Sequence, residues 1–252
     1  MKIKHVKLAV MLILLVSLLT AVATAAPNGV TITPLSNTTA TPVDGGLINT
    51  TGGSITVLSL NGTTQNVRWK AFVGNVSGSL TLNDANNNTI YDWDLTAISG
   101  EVYATRFGGT VNWTGINCAP LNATESENIN LSHTSPDDNI TATFDGLDNQ
   151  EIFVGTTRIS PNTCQTTNLY QNSTDPSATT DAFEEVVLYD RGNSSWDQNQ
   201  TSFGNIIYTQ TLQQDTFGYD NTSTFDFQLI VPEVGLETWT SSTAYYFYIE
   251  LS

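Results

Sequence analysis

The stretch GSLTLNDANNNTIYDWDL, residues 78–95, holds the pattern from which the fold can be argued. Apolar and polar residues alternate on both sides of a cluster of Asn and Asp, and a period of two is typical of a half-buried β-strand. Because Asn tolerates the positive φ angles of tight turns, the cluster predicts the turn of a β-hairpin. Asn87 heads an Asn-x-Thr sequon within that turn, so we expect a glycan there.

The same cluster has the D-x-N-x-N spacing of a calcium loop, starting at Asp84. An EF-hand loop needs Gly at its sixth position and a bidentate Glu at its twelfth. Thr89 and Leu95 stand at those positions, so the sequence favours the hairpin and keeps calcium as the weaker alternative. Three other acidic loops are open to the same two interpretations: residues 137–139, 145–149 and 215–221. We predict no metal site and no cofactor, with calcium as the alternative.

Period-two alternation recurs along most of the chain, and no window of helical length carries an apolar stripe. The predicted strands are residues 55–60, 67–73, 80–82, 91–95, 102–107, 140–144, 151–154, 186–189, 206–212, 225–231 and 245–251. Residues 117–135 and 156–182 are polar and irregular. Many short strands predict an all-β fold, specifically a β-sandwich of the jelly-roll or immunoglobulin-like type.

The N-terminus has the three parts of a secretory signal peptide: Lys2, Lys4 and Lys7, then an apolar run, then Ala-Thr-Ala ending at Ala25. A retained membrane anchor is the alternative, although the apolar run is short for a bilayer span. We therefore divide the chain into a signal peptide (1–25), a leader rich in Thr, Asn and Gly (26–53) and a β-sandwich domain (54–252). No segment after residue 25 is apolar enough to span a membrane.

Charge and cysteine content indicate an extracellular protein. The formal net charge is −16, and after residue 25 the cations are Lys70 and four arginines. Because binding to a phosphate backbone needs a basic surface, nucleic acid is excluded as a partner. Cys118 and Cys164 are the two cysteines, and in a secreted chain the expectation is one disulfide between them. A metal or catalytic thiol is the alternative.

Asn-x-Ser/Thr sequons are about twice as frequent as the Ser and Thr content predicts by chance. They begin at Asn37, Asn49, Asn61, Asn75, Asn87, Asn112, Asn122, Asn130, Asn139, Asn172, Asn193, Asn199 and Asn221. We expect extensive N-glycosylation, and therefore a eukaryotic or archaeal source. The alternative is that loops rich in Asn and Thr produce sequons without being modified.

Catalytic patterns are weak, and we predict that the protein is not an enzyme. His133 is the one histidine after residue 25, and only its proximity to Asp137 supports a Ser-His-Asp triad. A glycosidase needs two carboxylates, for which Asp92, Asp94, Glu101, Glu184 and Glu185 are available. For a carbohydrate-binding surface, Trp113 and Trp196 are the candidates for exposed rings, whereas Trp69 and Trp93 are in phase with apolar neighbours and are predicted to lie in the core. Trp239 is a further candidate.

Five segments resemble a group of secreted archaeal surface proteins whose function is unassigned: WKAFVGNVSG (69–78), NTIYDWDL (88–95), SGEVYATR (99–106), FDFQLIVPE (225–233) and TAYYFYIELS (243–252). The layout is more remotely similar to filament subunits that polymerise by donor-strand exchange, the bundling pilins and archaeal threads. That similarity is at the level of the fold and implies a structural role, without catalytic residues.

We therefore expect a secreted structural protein that works as a cell-surface component or as a filament subunit assembling by strand exchange. The alternative is a monomeric coat component whose leader folds back on its own sheet or serves as a linker. Its partners would be other copies of itself, other surface proteins or glycans. The leader supplies a candidate donor strand around Val30 and Ile32, which could pair with an exposed edge of the next subunit. A carbohydrate-binding or adhesion module is the alternative, followed by a secreted glycosidase.

Overall fold

The computed structural model describes residues 26–108, 111–174, 183–190, 205–235 and 242–252. Most of their regular structure is β-strand, and every strand pair is antiparallel, which confirms the all-β prediction. The strands are β1 (Asn28–Gly29), β2 (Trp69–Gly74), β3 (Leu80–Asn83), β4 (Thr89–Trp93), β5 (Gly100–Thr105), β6 (Asn117–Cys118), β7 (Ile152–Val154), β8 (Thr157–Ile159), β9 (Thr166–Asn168), β10 (Glu184–Tyr189), β11 (Ile206–Thr211), β12 (Thr216–Phe217), β13 (Thr224–Phe225), β14 (Phe227–Pro232) and β15 (Tyr246–Leu251).

One large sheet organises the molecule. Its strand order is β1-β15-β5-β11-β10-β6, and β9 also pairs with β10. The other strands form two-stranded pieces: β2 with β14, β3 with β4, β7 with β8, and β12 with β13. The described residues therefore contain one large sheet with small pieces around it, rather than two large facing sheets.

Both faces of the large sheet are apolar, because alternate side chains of its central strands point to opposite sides. On one face Val102, Ala104 and Tyr208 pack with Leu229 and Val231 of β14. On the other face a second cluster is covered by β7 and β8. The centre of the chain is thus a layered structure, with the large sheet between the β2–β14 ribbon and the β7–β8 hairpin.

Two helices were missed by the strand predictions. The first, α1 (Leu121–Asn130), buries polar side chains rather than an apolar stripe, so its periodicity gave no signal. Its Glu127 carboxylate receives two hydrogen bonds from Arg106, at 2.7 and 2.8 Å. The second, α2 (Ile140–Thr143), replaces the strand predicted at 140–144. Asn139 caps it by accepting a hydrogen bond from the backbone N–H of Ala142, as preferred at helix N-termini.

The predicted hairpin at residues 78–95 is present as β3 and β4. Asp84 organises its turn, because the Oδ1 atom accepts hydrogen bonds from the backbone N–H groups of Asn86 and Asn88, both at 2.8 Å. The side-chain amide of Asn88 also donates to Asp84 Oδ2 at 2.8 Å, and this bond, followed by the two backbone bonds, holds the pKa of Asp84 below its ordinary value. Asn87 has a φ angle of 63°, in the left-handed region that the Asn-rich turn was predicted to use.

The disulfide between Cys118 and Cys164 is also present. It joins β6, at the edge of the large sheet, to the segment that leads into β9, and Cys164 is fully buried. In the part of the chain that the structure describes, no helix has the length and apolar character needed to cross a bilayer. The predicted signal peptide (1–25) lies outside the described residues.

Candidate assembly surface

The leader is exposed and carries apolar side chains that nothing buries among the described residues. After Gly29 the chain carries no regular secondary structure until Trp69, and every residue from 30 to 67 is exposed. The predicted strand at 55–60 is not paired within the described structure: Ile55 is 97 % exposed and Val57 is 93 % exposed. Further exposed apolar side chains in this segment are Leu35, Val43, Leu47, Ile48, Leu58, Leu60 and Val67. Exposure without regular secondary structure therefore continues past residue 53, and the term exposed leader is used below for residues 30–67.

The start of the leader, in contrast, belongs to the chain's own sheet. Asn28 and Gly29 pair with Ile249 and Tyr248 of β15, and the N–H of Val30 donates to the carbonyl of Phe247 at 3.4 Å. The donor-strand candidates Val30 and Ile32 follow directly and are 39 % and 56 % exposed. This arrangement favours a segment further along the leader as the free strand.

The β2–β14 ribbon has two edges, and the edge of β14 is capped by side chains. The N–H of Gln228 donates to Gln210 Oε1 at 2.7 Å, and the N–H of Ile230 donates to Glu185 Oε2 at 2.8 Å. Pro232 has no N–H, and its carbonyl accepts a hydrogen bond from the Tyr245 hydroxyl. Polar side chains of the large sheet thus occupy the groups with which another strand would pair.

The backbone groups along the free edge of β2, in contrast, have no such caps among the described residues. The N–H of Glu233 donates to the Arg68 carbonyl, and this bond fixes which residues of β2 turn their backbone groups towards β14. Because bonding alternates along such a pair, Lys70 and Phe72 bond towards β14, whereas Ala71 and Val73 direct their N–H and C=O groups outward. Ala71 and Val73 are exposed, and among the described residues no group caps their outward backbone groups.

Apolar side chains lie beside this open edge. Phe72 is half-buried and contacts Phe247 of β15 edge-on, with ring centroids 5.1 Å apart. Ile249 and Leu251 of β15 and Val76 are also only partly buried against the core. The two-stranded ribbon leaves this side of the large sheet incompletely covered by the described residues.

The predicted carboxylates do not converge on one open site. Asp92 and Asp94 are exposed on and just after β4, while Glu184 and Glu185 are buried in β10. Glu185 is fully buried, and burial raises the pKa of its carboxyl well above the ordinary value. Glu184 accepts a hydrogen bond from the N–H of Gln150.

One pair of carboxylates does meet, and sequence reasoning missed half of it. Glu101 of β5 lies directly opposite Glu250 of β15. The carboxylate of Glu250 accepts hydrogen bonds from the Gly155 N–H, at 2.8 and 3.0 Å, and from the Tyr103 hydroxyl at 3.3 Å. Burial and then the charge of Glu250 raise the pKa of Glu101 from 4.5 to about 7. The pair lies between the large sheet and the β7–β8 hairpin. It could have been predicted only from the register of β5 against β15.

His133 is 2 % exposed, and its Nε2 donates to the Glu233 carbonyl. The ring also packs edge-on against Trp69. The Glu233 carbonyl therefore orients the His133 ring through Nε2, in place of the Asp137 carboxylate that a triad would need. This is the arrangement of a histidine that joins two segments of the core.

The tryptophans are distributed differently from the prediction in two of the three testable cases. Trp69 packs against the core as expected. Trp93 was predicted to be buried but is 48 % exposed, because β3 and β4 form a separate hairpin that presents both faces to solvent. Trp113 was predicted to be exposed but is half-buried between Tyr103 and Tyr248. Trp196 and Trp239 lie outside the described residues.

Most of the predicted glycosylation sites have room for a glycan. Asn122 and Asn139 are half-buried, and Asn193 and Asn199 lie outside the described residues. The exposed sequon asparagines are Asn37, Asn49, Asn61, Asn75, Asn87, Asn112, Asn130, Asn172 and Asn221. Of the half-buried pair, Asn139 uses its side chain to cap α2, and the Oδ1 atom of Asn122 is inaccessible.

A cavity of about 410 Å³ lies beside the end of α1. Its charged lining residue is Arg106, whose guanidinium is engaged by Glu127. Among the described residues, we find no group of three or more His, Cys, Asp or Glu side chains that could hold a metal ion.

No protein-family model matches this chain, and comparisons with curated proteins and with solved structures find no match either.

Proposed function

We propose that this protein is a secreted, N-glycosylated structural component of the cell surface whose copies associate by strand pairing into a filament. The proposal rests on one observation: the same chain has an exposed leader with apolar side chains and a strand, β2, with an open edge. Soluble monomers rarely expose extended apolar surface or long unpaired edges, because both promote association. Here both features occur in the same molecule, and each can satisfy the other.

The acidic surface and the sequons agree with this role. A net charge of −16 and neutral polar loops suit a protein that remains soluble outside the cell until its specific contacts form. The exposed sequon asparagines are spread over the leader and the folded part, so glycans would project from many parts of the surface, including Asn61 and Asn75 in the leader and just after β2. Mass spectrometry of tryptic and chymotryptic glycopeptides tests this part. We expect modification at the exposed sequons and none at Asn122 or Asn139, and a protein without glycans would contradict it.

The assembly proposal is tested by removing most of the leader. Asn37 Oδ1 accepts a hydrogen bond from Lys70 Nζ at 2.7 Å, so after deletion of residues 38–62 the retained residues 63–69 have only to connect Asn37 with the neighbouring Lys70. The retained residues keep β1 and its pairing with β15. We expect the full chain to form oligomers in analytical ultracentrifugation and the deletion variant to be a folded monomer. Oligomers of unchanged size in the deletion variant would refute a role for the leader.

Carbohydrate binding is the second candidate, and one observation favours it. Tyr91 and Trp93 are both about half exposed, lie on the same face of the β3–β4 hairpin, and have ring centroids 4.9 Å apart. Exposed aromatic pairs of this kind can stack on sugar rings. A glycan array probed with the wild type and with Tyr91→Ala/Trp93→Ala distinguishes the candidates: binding that depends on these two rings supports a lectin, and absence of binding to any glycan counts against it.

A further inference from the structure

The β2–β14 ribbon is capped on one edge and open on the other, and the chain carries a strand-like segment without a partner. We propose that residues 55–60 of one copy pair with the open edge of β2 in a second copy. This inference rests on the proposed function, because it identifies the two surfaces through which the copies join.

The acceptor is defined by hydrogen-bonding groups that point away from the fold. Ala71 and Val73 present outward N–H and C=O groups, in the phase fixed by the bond from Glu233 to Arg68. On the other side of the ribbon, Gln210 and Glu185 cap the corresponding groups of β14. A strand added to the ribbon therefore has one place to bind, and that place is β2.

The donor is chosen by its composition. Residues 55–60 read ITVLSL. In an extended chain Ile55 and Val57 lie on one face, and Leu58 and Leu60 lie on the other. A strand that is apolar on both faces is typical of one covered on both sides. The β2 edge offers apolar contacts on both sides as well, from Phe72 and Phe247 on the inner side and from the exposed Ala71 and Val73 on the outer side.

Other apolar residues of the leader are weaker donors. Val43 and Leu47 are about as exposed as Ile55, but Val43 lies between Pro42 and Asp44, and two glycines precede Leu47; Pro, Asp and Gly are all depleted in strands. Val30 and Ile32 follow β1, which is already paired with β15. Residues 55–60 are the one run in the exposed leader with the length and apolar content of an average strand.

A second copy is favoured as the occupant by connectivity and by charge. Residues 61–68 link the segment to β2, and their end is held in place because Asn66 donates to Asp138 and accepts from the N–H of Arg68. With this anchor formed, residues 55–60 are exposed and do not pair with β2 of their own chain. Residues 45–67 contain no charged side chain in a chain of net charge −16, so this segment can approach another copy without repulsion between like charges.

The contact is heterologous, because the donor and the acceptor are different surfaces of the same chain. Each copy that binds through its leader still presents its own open β2 edge, and each copy bound at β2 still has a free leader. Such a contact propagates from one subunit to the next unless the rotation closes a ring. The geometry therefore leads to a linear assembly, in agreement with the filament proposal.

Two single-sided variants of the full chain test the pairing. The donor variant is Val57→Asp/Leu60→Asp, with Val43→Asp/Leu47→Asp as the control that places the same charges elsewhere in the leader. The edge variant is Ala71→Pro, which removes an outward N–H and leaves the bonds to β14 intact, with Ala71→Ser as its control. Val73→Pro is a second edge variant in case the first does not fold, and thermal unfolding followed by circular dichroism establishes folding for each.

Analytical ultracentrifugation gives the result. We expect each single-sided variant alone to be a monomer, with association weakened by about tenfold or more, and both controls to assemble like the wild type. A mixture of donor and edge variants should form one-to-one dimers, because each supplies the surface that the other lacks.

If both variants assemble as the wild type does, this pairing is overturned and the proposed function still stands. A monomeric wild type would overturn both, and protection of residues 55–60 from hydrogen exchange in that monomer would identify the chain's own β2 edge as the acceptor.

Discussion

Replacement of Glu101 by Gln should make the protein more stable at neutral and alkaline pH and leave it nearly unchanged in acid. Glu101 is 9 % exposed and lies opposite Glu250 across the β5–β15 pair. Its carboxyl also accepts a hydrogen bond from the N–H of Phe153 in the β7–β8 hairpin. A glutamine has nearly the same shape and can accept the same hydrogen bond, but it never carries a charge.

The magnitude follows from the raised pKa. Burial and the neighbouring Glu250 raise the pKa of Glu101 from 4.5 to about 7 in the folded protein, so the folded state holds this proton more tightly than the unfolded state does. The resulting contribution to stability is fully present below pH 4.5 and is lost as the pH rises through about 7. At 1.36 kcal/mol per pKa unit, the loss is about 3 kcal/mol.

Urea denaturation at pH 4, 6 and 8 measures the effect. We expect the free energy of unfolding of the wild type to fall by about 3 kcal/mol relative to Glu101→Gln between pH 4 and pH 8. The exposed Glu125 supplies the matched control, and Glu125→Gln should follow the wild type at every pH. If the wild type and Glu101→Gln keep a constant difference over this range, the reasoning about the carboxylate pair is wrong.

Three further changes test the packing of the fold by thermal or urea unfolding. Replacing both Cys118 and Cys164 by Ala should lower the free energy of unfolding by about 4 kcal/mol, because the crosslink spans 46 residues; an unchanged melting temperature would contradict this. Arg106→Ala should cost about 3 kcal/mol, because it leaves the Glu127 carboxylate, with a side chain 5 % exposed, without its charged partner; a cost no larger than that of a surface substitution would show that the pair is not buried. Leu229→Ala should cost about 3 kcal/mol, since Leu229 is fully buried between the ribbon and the large sheet, and a neutral result would place it outside the core.

The strand pattern was predictable because half-buried strands leave a period of two in the sequence. Nine of the eleven predicted strands have a counterpart near the predicted position, and the hairpin turn at Asp84 follows from the chemistry of Asn and Asp. The strand predicted at 140–144 is a helix because Asn139 caps it, and a four-residue helix is too short to show a helical period. Helix α1 was missed because its buried face is polar and is satisfied by hydrogen bonds and by Arg106.

The candidate surface was predictable only in part. The composition of the leader indicates a free segment, but nothing in residues 55–60 distinguishes a paired strand from an unpaired one. The capping of β14 by Gln210 and Glu185 depends on tertiary contacts between strands far apart in sequence, so it has no local signal. The pairing of Glu101 with Glu250 is hidden for the same reason, because it depends on the register of two strands separated by most of the chain.

The proposed function requires that copies of this protein associate through the leader. Analytical ultracentrifugation of the native glycosylated protein over a hundredfold range of concentration, with negative-stain microscopy of the same samples, tests it most directly. We expect a mass that rises with concentration, and linear particles in the most concentrated samples. A single-chain mass at every concentration, with dispersed particles of one size, would contradict it.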